Sequence, residues 1–201
     1  MPEIQKAIFC WSGGKDSAYC LHKVLEEKLF GVQYLLTTLN ASFKRISMHG
    51  VREKLLDLQA ESIGIPVLKV WVNEGTNDEY EKQMAGVLSR VASEGIRTVI
   101  FGDIFLEDLR VYREQNLAKV GVTGVFPIWK MDTTALMGDF VRRQFKAMTC
   151  CVNDAYLGKE WAGRELDSSF IGRLPAGVDP CGENGEYHTF CYDGPVFKNR
   201  I

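Results

Sequence analysis

The sequence predicts an α/β fold, a doubly wound parallel sheet followed by a smaller C-terminal region. Apolar clusters alternate with helix-period segments from Lys6 to Phe101. Those clusters are mostly unbroken apolar runs instead of polar/apolar alternations, the pattern of strands covered on both faces. The first cluster opens directly onto a glycine loop and an amphipathic helix, a strand–loop–helix unit whose loop lies at the carboxyl end of a strand.

Taken in order, Lys6-Ala7-Ile8-Phe9-Cys10-Trp11 reads as a buried strand, and Ala18, Leu21, Val24 and Leu25 mark one face of the helix after the loop. Val32 to Thr38 is a second strand. Val51, Leu55 and Leu58 predict a helix ending near Gly64, and Pro66 opens a third strand, Val67 to Val72. Tyr80, Met84, Val87, Leu88 and Val91 fall at i, i+4, i+7, i+8 and i+11, a helix stopped by Gly95, before a fourth strand at Thr98 to Phe101. Beyond Gly124 the pattern loosens. Asp132 precedes a helix through Met137, Val141 and Phe145, Lys146 to Val152 returns as a strand, and Tyr187 to Tyr192 is strand-like within a Gly/Pro/Asn/Asp-rich stretch. The expected organisation is a nucleotide-binding part at 1–130 and a substrate-side region at 131–201 packed on it, within one continuous unit.

Bulk properties narrow the function classes. With 46% hydrophobic and 25% charged residues among 201, the chain has globular composition and not that of a disordered segment. A net charge of −2 gives no electrostatic reason to expect nucleic-acid binding. No apolar run approaches a membrane span, and Met1 to Lys6 lead straight into a strand with no room for a secretory leader, so no membrane association and a cytoplasmic location are expected. The six cysteines include no C-x-x-C pair, which removes zinc and redox spacings and predicts reduced thiols acting mostly as small buried hydrophobes. A homodimer is the default for an enzyme of this size.

The chemistry concentrates in Ser12-Gly13-Gly14-Lys15-Asp16-Ser17. A strand-to-helix junction presents unpaired N–H groups and the positive end of a helix dipole to an anion. Gly13 and Gly14 let the backbone approach phosphate oxygens, Lys15 adds a charge, and Ser12 and Ser17 add hydroxyl donors. The pattern is not G-x-x-x-x-G-K-[ST], so it is not a Walker A loop. Ser-Gly-Gly-Lys-Asp-Ser resembles the signature of the PP-loop, or N-type, ATP pyrophosphatases, whose fold is adenine nucleotide alpha-hydrolase-like (HUP-type). That resemblance implies that the β- and γ-phosphates of ATP are held as the departing group while the α-phosphorus stays open to attack.

Three further segments sharpen the resemblance: Ser47-Met48-His49-Gly50-Val51-Arg52, Phe101-Gly102-Asp103-Ile104, and Asp179-Pro180-Cys181-Gly182-Glu183-Asn184-Gly185-Glu186-Tyr187-His188-Thr189. With the loop, they resemble the diphthine–ammonia ligase family, over about Lys6 to Asp193. Asn184 stands where the family pattern has glycine, and His188 where it has an acidic residue. The resemblance implies an ATP-dependent amide-forming ligase that adenylates a carboxylate and releases AMP and pyrophosphate, using ammonium or a separate ammonia source. The acceptor would be diphthine on elongation factor 2 if the chain is archaeal or eukaryotic. Two readings stay beside it: a tRNA-thiolating PP-loop enzyme and a non-catalytic ATP sensor.

The candidate catalytic residues are Lys15, Asp16, Glu183 and Glu186. Ser12, Gly13, Gly14, Lys15, Asp16, Ser17, Thr37, His49, Gly50, Gly102 and Asp103 are expected to border ATP, with Asp16 and Asp103 toward Mg²⁺. Asp103 follows a strand directly and could instead cap a helix. Glu183 and Glu186 suit Mg²⁺ binding, placement of the amine or uptake of its proton. Glu107, Arg110 and Arg113 recur at i+3 and read as exposed ion pairs, Asp132 as a helix cap, and Cys181 as a packed thiol.

Overall fold

A computed structural model of the chain describes residues 4–73 and 77–201; Met1 to Glu3, on which the expectation about a leader partly rests, lie outside them. Five parallel strands form the main sheet: β1 (Lys6–Cys10), β2 (Gly31–Asn40), β4 (Val67–Val72), β5 (Thr98–Ile100) and β6 (Thr123–Val125). Their order is β4-β2-β1-β5-β6, with the two-residue β3 (Arg45–Ile46) pairing antiparallel to the end of β2. The order reverses between β1 and β5, which opens a crevice outside the carboxyl ends of those two strands.

Alternate residues of β1 serve opposite faces. Ala7 and Phe9 join the core beneath α1 (Lys15–Glu26), α2 (Glu53–Ile63) and α5 (Thr133–Arg142). Ile8 joins a second core with Leu88 and Val91 of α3 (Asn77–Ser93) and Leu117 of α4 (Glu107–Ala118). A sheet buried on both faces is what the unbroken apolar runs require. Gly64 ends α2 in the left-handed region (φ +82°), its N–H bonded to Ala60 O.

The C-terminal region is built on an antiparallel pair, β7 (Lys146–Val152) and β8 (Tyr187–Asp193), with a 3-10 turn at Lys159–Trp161 and α6 (Ser168–Arg173) between them. It shares one hydrophobic core with α1, α2 and α5. Its link to the loop after β1 and to α2 is direct: Cys191 N donates to Gly13 O at 2.9 Å, and Ser62 O accepts from Lys198 N at 2.9 Å.

Several local expectations are corrected. Leu58 is 38% exposed, and α2 buries Leu56, Gln59, Ala60 and Ile63 instead. Gln59 is polar, so an apolar count skips it and slips onto the neighbouring face. Leu25 is likewise exposed, the buried face of α1 running through Cys20, Leu21 and Val24. Trp71 is exposed because β4 is the sheet edge. Cys150 and Cys151 are both exposed, unlike the buried Cys20, Cys181 and Cys191. The register of β7 shifts between Thr149 and Cys151, so a bulge removes the alternation that would have turned one thiol inward. Among the described residues, no helix is long and apolar enough to cross a membrane.

Candidate active site

The crevice widens into a cavity of about 690 Å³, within the size range of small-ligand sites. Its floor is the loop after β1. Gly13 adopts φ +79°, and an added Cβ there would sit 2.8 Å from Gln59 Oε1. A Cβ on Gly14 would lie 2.9 Å from His49 Cε1 and 3.1 Å from Thr189 Oγ1. Both glycines are therefore required by close approach, not only by turn geometry. Gly102 serves the same end from β5, since a Cβ there would come within 3.2 Å of Asp16 O.

Hydroxyl groups brace the loop. Ser12 Oγ lies 3.1 Å from Ser17 Oγ and accepts from Gly14 N at 3.3 Å, while Ser17 Oγ donates to Gly14 O at 3.0 Å. Lys15 N donates to Thr189 Oγ1 at 3.0 Å, so β8 takes the first amide of α1. Thr37 lines the cavity, and its hydroxyl donates to Trp11 O at 2.7 Å.

Lys15 is 2% exposed. Its ammonium donates to Asp16 Oδ2 at 2.8 Å and to Cys181 O, and lies 5.4 Å from the Tyr187 ring centroid. Burial alone would favour the neutral amine, but the Asp16 charge, with Cys181 and Tyr187 behind it, holds the pKa above the ordinary lysine range. Two of three ammonium protons have protein partners, which leaves one for an incoming anion. Asp16 Oδ1 is buried without a hydrogen-bond partner, an acceptor ready for a cation or donor.

Asp103 pairs with Arg113, Oδ1 accepting from Nη2 at 3.2 Å and Oδ2 lying 2.9 Å from Nε. It is not a helix cap, because α4 begins after Leu106. Burial pushes the Asp103 carboxyl up, Arg113 opposes this, and Asp16 adds to it. Arg113 also lies over the Phe101 ring at 4.4 Å and lines the cavity, whereas Arg110 pairs with Glu114 and contacts the Phe126 and Trp129 rings; Glu107 is exposed. The three i+3 residues thus separate, and Arg113 alone faces the site. Asp132 caps α5, accepting from Ala135 N at 2.7 Å.

The two acids of the C-terminal motif have different situations. Glu183 lines the cavity, and burial, then the Asp16 charge, push its carboxyl up to about 7. Glu186 does not line the cavity and is fully buried. It accepts from Asp179 N at 2.9 Å, Asn184 N at 2.9 Å and Asn184 Nδ2 at 3.1 Å. Burial raises its pKa, but these donors outweigh that and hold it below the usual carboxylate range. The expected catalytic part for Glu186 gives way to anchoring the loop that carries Glu183. Gly182 (φ +70°) tightens the same loop, where a Cβ would meet Tyr187 O at 2.8 Å.

His49 lines the cavity with its ring centroid 4.7 Å from that of His188. Thr189 O lies 3.3 Å from His49 Nδ1, which makes that nitrogen the protonated one and leaves Nε2 as acceptor. Burial and His188 lower the His49 pKa to about 4, so the ring is neutral at physiological pH. Gly50 is outside the cavity lining; with φ +66°, its N–H on Ile46 O and its carbonyl accepting from Arg45 Nη1, it is held in a turn beside His49. Cys181 Sγ donates to Thr133 O at 3.5 Å, and burial pushes its thiol far up.

Two braces escaped the sequence reading. Thr189 sat inside the quoted motif without an assigned part. Gln59 offered one signal, an amide three residues after Leu56 and four before Ile63 on a largely apolar face.

This geometry defines an α/β protein with a HUP-type fold and a glycine loop at the switch point of its sheet. Comparison with known proteins makes the assignment specific. Residues 5–124 match the model of the diphthamide synthase N-terminal domain, and residues 132–201 that of the diphthamide synthase C-terminal domain. The diphthine–ammonia ligase of Danio rerio is 26% identical over 215 residues, covering 94% of this chain and 83% of the relative. The diphthine–ammonia ligases of Mus musculus and Homo sapiens are 26% and 24% identical, each covering 94% of this chain and 79% of the relative. The chain belongs to the diphthamide synthase family, and it is a carbon–nitrogen ligase.

Proposed function

We propose that this enzyme adenylates a carboxylate with ATP and then joins it to ammonia, with diphthine as the acceptor, as the names of its relatives suggest. The observation that carries the reading is the floor of the cavity: a glycine loop with a buried, charged Lys15 at the start of α1. The amides of Gly14, Asp16 and Ser17 and the free proton of Lys15 suit the β- and γ-phosphates, an arrangement that leaves the α-phosphorus toward the open cavity. We assign residues 1–130 the nucleotide half and 131–201 the acceptor half, in keeping with Glu183 and His188 arriving from the second.

In the first step a carboxylate oxygen attacks the α-phosphorus, the bond to the β-phosphate oxygen breaks, and pyrophosphate leaves. Lys15 and the loop amides stabilise the charge that grows on the departing oxygens. In the second, ammonia attacks the acyl carbon, the bond to AMP breaks, and Glu183 takes the proton of the ammonium. A carboxyl at about 7 is suited to that transfer near neutral pH.

Mg²⁺ fits one position. Asp16 Oδ1 is a buried oxygen without a hydrogen bond; Asp103 Oδ2 also lacks one but sits 2.9 Å from the Arg113 Nε cation, and among the described residues no three acidic, His or Cys side chains gather as a cage. A single carboxylate plus substrate phosphates is a usual Mg²⁺ donor set, so Asp16 would hold the ion, which would supply charge neutralisation to the leaving group. We leave Asp103 to orient Arg113. The thiolation reading is disfavoured by Cys181, whose buried thiol cannot readily supply a thiolate.

The test is to incubate the enzyme with Mg²⁺, ATP, ammonium and an elongation factor carrying diphthine, and to separate the nucleotides. AMP and pyrophosphate in step with amide formation are expected. ADP and phosphate, or ATP held unchanged, would refute the adenylation step.

A further inference from the structure

Gln59, on α2, is 0% exposed, and its amide is fully committed. Trp11 Nε1, a donor only, gives its hydrogen to Gln59 Oε1 at 2.9 Å. Gln59 Nε2 donates to two carbonyls, Gly13 O at 3.0 Å and Cys191 O at 2.7 Å. Partners of fixed polarity set which end of the amide is oxygen and which nitrogen. One side chain therefore ties α2, the end of β1, β8 and the phosphate loop together.

The consequence lies in the Gly13–Gly14 peptide. In a trans peptide the C=O and the following N–H point in opposite directions. Holding Gly13 O against Gln59 Nε2 and Cys191 N turns Gly14 N–H away from them, toward Ser12 Oγ, which accepts it at a long 3.3 Å. Two successive glycines, the first at φ +79°, oppose rotation of this peptide plane only weakly. Rotated by half a turn, the unit would present a carbonyl oxygen to an anion.

We propose that Gln59 is a positioning residue for the polyphosphate: it holds the Gly13–Gly14 peptide in the orientation that offers N–H to the anion, and so sets affinity for pyrophosphate-bearing ligands without touching them. The inference rests on the reading that the loop receives those phosphates. Because Cys191 N also holds Gly13 O, loss of Gln59 weakens the lock without removing it.

The test uses the full chain carrying Gln59→Met, which keeps the length of the side chain and loses its hydrogen bonds, with folding checked by circular dichroism. Binding of inorganic pyrophosphate with Mg²⁺, and separately of adenosine, is measured by titration calorimetry. Pyrophosphate affinity should fall by about tenfold or more while adenosine affinity stays within about twofold. Unchanged pyrophosphate binding, or equal losses for both ligands, overturns the proposal. Wild-type protein that binds no pyrophosphate would instead overturn the loop reading itself, and this inference with it. If Gln59→Met does not fold, amide NMR of the wild type decides: the Gly14 N–H should move downfield on adding pyrophosphate, and a static Gly14 signal among shifting neighbours refutes the proposal.

Discussion

Replacing Lys15 with Met should lower kcat/KM for ATP by about a thousandfold, with the chain still folded. The side chain is 2% exposed and its ammonium is held above the ordinary lysine range, so it meets the nucleotide as a fixed cation needing no reorganisation. Methionine fills similar space but offers no proton to a phosphate, and it leaves Cys181 O and Asp16 without their shared donor. Removing a preorganised donor aimed at developing charge costs about 100- to 1,000-fold, and removing one that carries full charge belongs at the upper end. Arginine should restore little, because its planar fork does not fit a slot built for a compact ammonium. Steady-state kinetics together with a thermal melt separate the catalytic loss from unfolding. A Lys15→Met enzyme within tenfold of wild type would remove the cation from the account.

Glu183→Gln should lower kcat by about a hundredfold or more and abolish a pH limb near 7. Burial and the neighbouring Asp16 charge raise the Glu183 carboxyl to about 7, so the base form fills as pH rises through that value. At fixed total ammonium the wild-type rate should climb about tenfold per unit below 7 and level off above it. The glutamine variant has no such titration, and its residual rate should follow free ammonia, still rising past pH 8. A wild-type profile that rises without a plateau would mean that ammonia arrives already deprotonated and that Glu183 has another part. Glu186→Gln is the instructive contrast. Its carboxylate is taken up by Asp179 and Asn184 donors outside the cavity, so damage there acts through the loop's shape and leaves the pH limb in place.

What the sequence made legible follows from the range of the interactions involved. The parallel sheet, its helices and the loop are local patterns: apolar runs, a 3.6-residue period, and glycines placed between a strand and a helix. Three-residue strands such as Thr123–Val125 carry too little pattern to stand out, and the bulge at Cys150 depends on a partner strand that periodicity does not see. The loop and Glu183 stood out as motifs. The reach of the C-terminal motif back to the floor of the site, with Thr189 Oγ1 on Lys15 N and Cys191 N on Gly13 O, spans more than 170 residues and leaves no local trace. Glu183 and Glu186 look equivalent in sequence. Hydrogen bonds part them, burying one as an anchor and leaving the other in the cavity wall with a raised pKa.

Which phosphates the loop holds is decided by a crystal structure with Mg²⁺ and α,β-methylene ATP. The β- and γ-phosphates should lie on the amides of Gly14, Asp16 and Ser17 within hydrogen-bond distance of Lys15 Nζ, with the α-phosphorus facing the Glu183 side of the cavity. Phosphates seated elsewhere, or a γ-phosphate presented to the open cavity with the α-phosphorus enclosed, would contradict the account.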